Sequence, residues 1–183
     1  VGEAIPVQTP GPAIATGSAE SEEAPRQQGG RFFLLAATGS WFFTGYAPIA
    51  PATVTSLTVL PAVWLFRSVP WPWHALAIAV TYIAGVPLAT ALERYWGRDP
   101  GRVTIDEVTG TLVTFFLNPV SLWGLALGFV CWRAFDIVKL PFIDRSQRLP
   151  GGWGVMTDDL LAGVCANVVL RLGLLLVPAL RMS

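Results

Sequence analysis

From residue 31 to residue 180 the chain alternates apolar runs with short joints that hold most of its charged side chains. Residues 54–66 are apolar up to Arg67 and read as a helix. The turn Pro70-Trp71-Pro72-Trp73 follows, rigid and aromatic in the way of a membrane interface. Residues 73–95 carry no charge before Glu93 and exceed the roughly 20 residues that cross a bilayer, with Pro87 as an expected kink. A shorter piece, residues 108–117, stops at Asn118-Pro119, and residues 120–132 run into Arg133, Asp136 and Lys139. The last run, residues 160–177, is closed by Pro178. The pieces 54–66 and 108–117 cover only about 15–20 Å as helices, at 1.5 Å per residue. The pattern therefore predicts an all-α fold: a membrane-embedded bundle of about five helices, some short or re-entrant.

The remainder is polar or broken. Residues 1–30 hold four glutamates and four prolines, no aromatic residue and no periodicity. They read as a disordered N-terminal arm without the apolar core of a secretory signal, and residues 31–183 as the helical membrane domain. Residues 31–56 start apolar but are interrupted by Gly39, Gly45, Pro48 and Pro51. Residues 45–56 read as a loop, either a plain proline-rich connector or one whose hydroxyls, Thr53 and Ser56 among them, approach an anion near a helix start. Residues 141–150 read as a polar loop, and the glycines of residues 151–154 as a turn before the last helix.

Composition sharpens this picture. The chain is 53% hydrophobic and 13% charged, about half the charge of an average soluble domain, and its mean hydropathy is +0.55. With a net charge of zero and no basic stripe, nucleic acid is not an expected partner. Cys131 and Cys165 lie in apolar runs and have neither disulfide nor zinc spacing.

Folding the runs as a zigzag brings every charged cluster to one side. All eight acids outside the arm fall there, together with an excess of arginine and lysine, which marks that side as cytoplasmic. His74, the one histidine, falls on the other side, which removes a Ser-His-acid triad. Five acids form the candidate site: Asp106, Glu107, Asp136, Asp158 and Asp159. Carboxylates this close cannot all ionise without a cation, and a set of hard oxygen ligands without His or Cys suits Mg²⁺. Arg133 and Lys139, with Arg145 as a further cation, would neutralise phosphate oxygens. Gly151, Gly152 and Gly154 would let backbone approach a phosphate closely. The spacing assigns no acid as base, nucleophile or ligand, and it leaves open whether Asp158 and Asp159 bind one metal together or one of them only caps a helix. Two other signals are set aside. Cys165 and Arg171 have the C-x5-R spacing of cysteine phosphatases, but inside an apolar helix without glycine. Gly124 and Gly128 read as a helix-packing pair.

Four ordered motifs then resemble the phosphatidylglycerophosphatase A family. They are GYAPIAPATVTSL at residues 45–57, DPGRVTIDEVTG at 99–110, FDIVKLP at 135–141 and GGWGVMTDDLLAG at 151–163. The resemblance implies a Mg²⁺-dependent lipid phosphatase of the bacterial inner membrane. Such an enzyme hydrolyses phosphatidylglycerophosphate to phosphatidylglycerol and inorganic phosphate, its site facing the cytoplasm. The family's motif acids match the five named above, and its motif lysine matches Lys139. The chain departs from the family pattern at Ala52 and Thr55, where glycines are usual, and at Leu140, where a proline is. The sites expected to touch substrate are Thr53, Ser56, Arg133, Lys139, Gly152 and Gly154. Two alternatives remain at this point: a cation carrier, whose acids would line a path through the membrane midplane, and a related phosphatase acting on another phosphate monoester.

Overall fold

The computed structural model describes residues 28–98 and 100–181; most of the expected arm and Asp99 lie outside the described residues. Their regular secondary structure is all helical, with no strand among the described residues beyond an isolated bridge between Val120 and Arg181. Seven α-helices run in chain order: α1 Gln28–Gly39, α2 Pro51–Phe66, α3 Trp71–Trp96, α4 Ile105–Phe115, α5 Leu122–Ile137, α6 Pro141–Ser146 and α7 Gly152–Leu176.

The two helices beyond the expected five come from segments read as broken or looped. The apolar start of residues 31–39 makes α1, whose Gly39 lies directly under Leu92 of α3. Pro141 opens α6 from its first turn, the position where a missing N–H does no harm. Two further expectations are corrected. Pro51 starts α2, so Thr53 and Ser56 sit in the first two turns of a helix and not in a loop. The glycines after Gly151 are likewise helical: α7 begins at Gly152, with Gly151 at φ 56° before it. Between α1 and α2 the chain turns through three successive left-handed residues, Trp41, Phe42 and Phe43, a strained conformation for side chains of this size.

Helix α4 is the centre. It packs against α2, α3, α5 and α7, and every residue in it except Asp106 is buried. At 11 residues it covers about 16 Å, half a bilayer core. A helix that stops inside a bundle leaves carbonyls that must find donors. Asn167 of α7 supplies its amide to the carbonyls of Val113, Thr114 and Phe116 at 2.8–3.0 Å. Asn118 donates to Thr114, Arg171 donates to Leu117, and His74 Nε2 bonds the Leu112 carbonyl at 2.9 Å. Small residues set the closest approach, since a Cβ on Gly163 of α7 would stand 2.6 Å from the Gly110 carbonyl of α4. On the other flank the Trp132 ring of α5 lies directly over Gly110.

Two helices, α3 and α7, are long and apolar enough to cross a membrane, with mean hydropathies of 1.9 and 1.8 over their most apolar windows. Only 22% and 33% of those windows are buried within the protein. The exposed positions form stripes: Leu76, Val80 and Ile83 on α3, and Val164, Val168, Leu172 and Leu175 on α7. Leu57 and Leu65 on α2, and Trp123 and Val130 on α5, extend the apolar exterior.

The α4–α7 crossing yields a stability prediction. Gly163→Ala forces its methyl against backbone and should destabilise the protein by about 1–3 kcal/mol. Gly101→Ala meets open space and should be neutral within about 0.5 kcal/mol. Thermal unfolding in detergent reads the difference, and equal midpoints for the two variants would refute the tight crossing.

Candidate metal centre

Four elements deliver the charged side chains to one end of the bundle. Asp106 and Glu107 come from the first turn of α4, where the positive end of the helix dipole favours acids. Arg133 and Asp136 come from the last turns of α5, Lys139 from the joint before α6, and Asp158 and Asp159 from the second turn of α7.

Glu107 Oε2 is held twice. Arg133 Nη1 lies 2.7 Å from it, and the Ser56 hydroxyl donates to it at 2.9 Å. Ser56 in turn accepts from Trp132 Nε1 at 3.1 Å. The same Arg133 Nη1 reaches Asp136 Oδ2 at 3.0 Å, so one guanidinium ties α4 to α5. Neighbouring residues on a helix point about 100° apart, and Asp158 and Asp159 divide accordingly. Asp158 Oδ2 accepts from Lys139 Nζ at 2.5 Å and from Gln147 Nε2 at 2.7 Å. Asp159 goes the other way: Glu107, Asp136 and Asp159 each offer an oxygen within 4.8 Å of the others. Neither member of the pair caps α7, whose cap position is Gly151.

The electrostatics follow from crowding. Burial raises the Asp106 carboxyl well above the usual range, and the charges of Glu107 and Asp158 push it further, against a hydrogen bond from the Glu107 N–H. Burial raises Glu107 to about 7; Arg133 pulls it down and Asp136 pushes it up again. Asp159 Oδ2 is buried and has no hydrogen-bond partner among the described residues, an expensive state for a carboxylate oxygen. An all-oxygen donor set with one orphaned buried oxygen fits a hard divalent cation such as Mg²⁺.

The residues expected to touch substrate fare differently. Arg133 and Lys139 are in the cluster, and Lys139 keeps 28% of its side chain exposed. It lies beyond the end of α5 and bonds Asp158, so it does not continue the Arg133–Asp136 face of that helix. Thr53 is half-buried, and its hydroxyl makes no hydrogen bond among the described residues. Ser56 is fully buried and occupied by Glu107 and Trp132, which makes it a positioning residue. Gly152 and Gly154 serve chain packing: a Cβ on Gly152 would strike the Val86 carbonyl, and one on Gly154 would stand 2.8 Å from the carbonyls of Gln147 and Leu149. Arg145 is exposed and takes part in none of these ion pairs. Sequence reasoning missed Trp132 and Gln147, whose partners lie 76 and 11 residues away.

The chain matches the family model described as phosphatidylglycerophosphatase A over residues 37–174. It is 34% identical over 148 residues to a Bacteroides thetaiotaomicron protein provisionally named a phosphatidylinositol-3-phosphatase, covering 75% of this chain and 92% of that one. It is 33% identical over 134 residues to the phosphatidylglycerophosphatase A of Escherichia coli, covering 70% and 77% of the two chains. No solved structure matches it.

The raised Glu107 makes metal-free stability depend on pH. Its folded form holds a proton up to about 7, against 4.5 for the free side chain. The stability linked to that proton is complete below 4.5 and is lost as pH rises through about 7. In EDTA the melting temperature should therefore fall between pH 5 and pH 8, and saturating Mg²⁺ should lift it most at the alkaline end. A metal-free melting temperature that rises across that interval would contradict the assignment.

Proposed function

The chain belongs to the phosphatidylglycerophosphatase A family, and from that premise we propose a Mg²⁺-dependent lipid phosphatase that hydrolyses phosphatidylglycerophosphate to phosphatidylglycerol and inorganic phosphate. The observation that carries the reading is the triad of Glu107, Asp136 and Asp159 at the charged end of an otherwise apolar bundle. These three residues would hold the ion, and the buried Asp159 Oδ2 is the atom whose isolation it would end. When bound, such an ion polarises a phosphoryl oxygen and lowers the pKa of a coordinated water.

The chain's own groups supply the rest. Arg133 holds Glu107 and Asp136 in fixed orientation and keeps a positive charge beside the reacting phosphoryl group. Ser56, itself fixed by Trp132, prevents Glu107 from rotating. Lys139, partly exposed and anchored on Asp158, meets phosphate oxygens as they gain charge. Asp106 has one oxygen occupied by the Glu107 N–H and a raised affinity for protons, which suits it to take the proton of the attacking water.

Exposed apolar stripes on α3 and α7 support embedding in the bilayer. The arginine and lysine excess at the charged end supports a site facing the cytoplasm of a bacterial inner membrane. A second substrate reading, a phosphatidylinositol phosphate, is favoured by the name of the Bacteroides relative, of which this chain covers 92%.

Phosphate release from a panel of phospholipid phosphates, with Mg²⁺ or with EDTA, tests these readings. Phosphatidylglycerophosphate should be the best substrate, and EDTA should stop its hydrolysis. A phosphoinositide that outruns it would favour the second reading. Asp136→Asn and Asp159→Asn should each lower kcat by about a hundredfold or more, since even outer partners of a metal site are worth tens, while the helical circular dichroism stays. Full activity in either variant removes the triad from the mechanism.

A further inference from the structure

We propose that Arg98 and Arg148, with Arg94 at the rim, form a subsite for a second anion on the substrate: the phosphodiester that joins the headgroup to the lipid. The carboxylate cluster takes the terminal monoester. The inference rests on the phosphatase reading above and narrows it to lipids that carry both groups.

A recess of about 450 Å³ opens between the end of α3, the α6–α7 joint and the start of α7. Its walls include Arg98, Arg148, Asp144, Gln147 and Asp158. A more open recess of about 550 Å³ shares Glu93, Arg98, Arg148 and Gly151 with it and adds Arg94 and Thr90. The two form one cleft. Arg98, Arg148 and Glu93 line both parts of it; Arg94 is added in the more open part, and Asp144 and Asp158 in the other. Asp158 borders the cleft and bonds Lys139; its neighbour in the chain, Asp159, turns the other way into the carboxylate triad.

The three arginines have no place in the mechanism so far, and among the described residues none of them forms an ion pair. Arg98 is nevertheless fastened across the cleft. Its Nη2 donates to the Gln147 carbonyl at 3.4 Å, leaving the other guanidinium donors for a ligand. Guanidinium groups match phosphate oxygens in pairs, which a lysine ammonium does not. Exposed Tyr95 and Trp153 lie at the same end of α3 and α7, as aromatic residues do at headgroup depth. A lipid with a monoester at the triad and a diester nearer its acyl chains would engage the carboxylate end and the arginine-lined cleft together. Phosphatidylglycerophosphate and phosphatidylinositol phosphates both carry that pair of groups. Phosphatidate, whose monoester is attached directly to diacylglycerol, would leave the arginines idle.

The test compares wild type with the double variant Arg98→Gln/Arg148→Gln in detergent micelles with Mg²⁺. The ratio of kcat/KM for phosphatidylglycerophosphate to that for phosphatidate should fall by about tenfold or more, the scale of one lost charge-assisted hydrogen bond. The fall should lie in KM. An unchanged ratio overturns the subsite. A second arm needs no turnover: binding of phosphatidylglycerophosphate in EDTA, followed by tryptophan fluorescence, should weaken by about tenfold in the variant. Equal affinities also overturn it. Arginine-dependent binding without hydrolysis by the wild type would keep the subsite and defeat the phosphatase reading. Hydrolysis with an unchanged ratio would do the reverse. If the double variant does not fold, Arg148→Glu at its exposed position takes its place, with a larger loss expected.

Discussion

Three carboxylates whose oxygens lie within 4.8 Å of one another, inside a protein, cannot all stay ionised unaided. Much of the charged end of this chain is arranged around that difficulty. Arg133 answers part of it by touching both Glu107 and Asp136. Lys139 is taken up by Asp158. Three negative charges and one guanidinium leave a balance of two negative charges, which is what one divalent cation neutralises. Without such an ion the protein must hold protons instead, and the raised titration of Glu107 and Asp106 expresses this. The same cluster would therefore take up protons when empty and could act as a ligand set for a divalent cation when filled.

Helix α4 makes that cluster possible because it is surrounded on every side. Its acids stand at the end where the helix dipole welcomes them. Its carbonyl end is closed by Asn167, Asn118, Arg171 and His74. Gly110 is the hinge of this packing. With no side chain there, Trp132 can lie across the helix on one flank while Gly163 closes on the other. The position of Trp132 then has a chemical consequence, because its indole N–H fixes Ser56 and Ser56 fixes Glu107. Core packing and ligand orientation are thus one network here, and a change of shape at Gly110 would be felt at the carboxylates.

The apolar runs were enough to read α2, α3, α4, α5 and the body of α7, because hydrophobic length reports helices directly. The paired acids were legible too, since charges inside a greasy chain demand a reason. The glycines of residues 151–154 misled, for a physical reason. Glycine spacing alone suggests a turn, but here Gly152 and Gly154 are small because carbonyls of α3 and of the α6–α7 joint press against a helix. Trp132 and Gln147 act through partners that only folding brings near, and no local spacing reveals that. The departures from the family motif became intelligible only in three dimensions. The Thr55 hydroxyl meets that of Thr44 at 2.5 Å, pinning α2 to the preceding turn, and Leu140 packs against the cluster around Trp132 and Ile143.

The depth of the acids separates chemistry at a surface from transport through a membrane. They lie in the first turn of α4, the last turns of α5 and the second turn of α7, all at one end. In the far halves of α4 and α7 the described residues offer no carboxylate at all. The one ionic side chain there, Arg171, is engaged with the Leu117 carbonyl and with Asn118. The buried threonine hydroxyls Thr109 and Thr114 bond back to their own helix, at Ile105 and Gly110. Among the described residues a cation that entered at the triad would find no further carboxylate along α4 or α7. Carboxylates gathered at one end of the bundle, with no carboxylate beyond them to pass an ion on, suit chemistry at that end rather than transport, and a phosphate ester is a group that hard, cation-bridged carboxylates would be able to address.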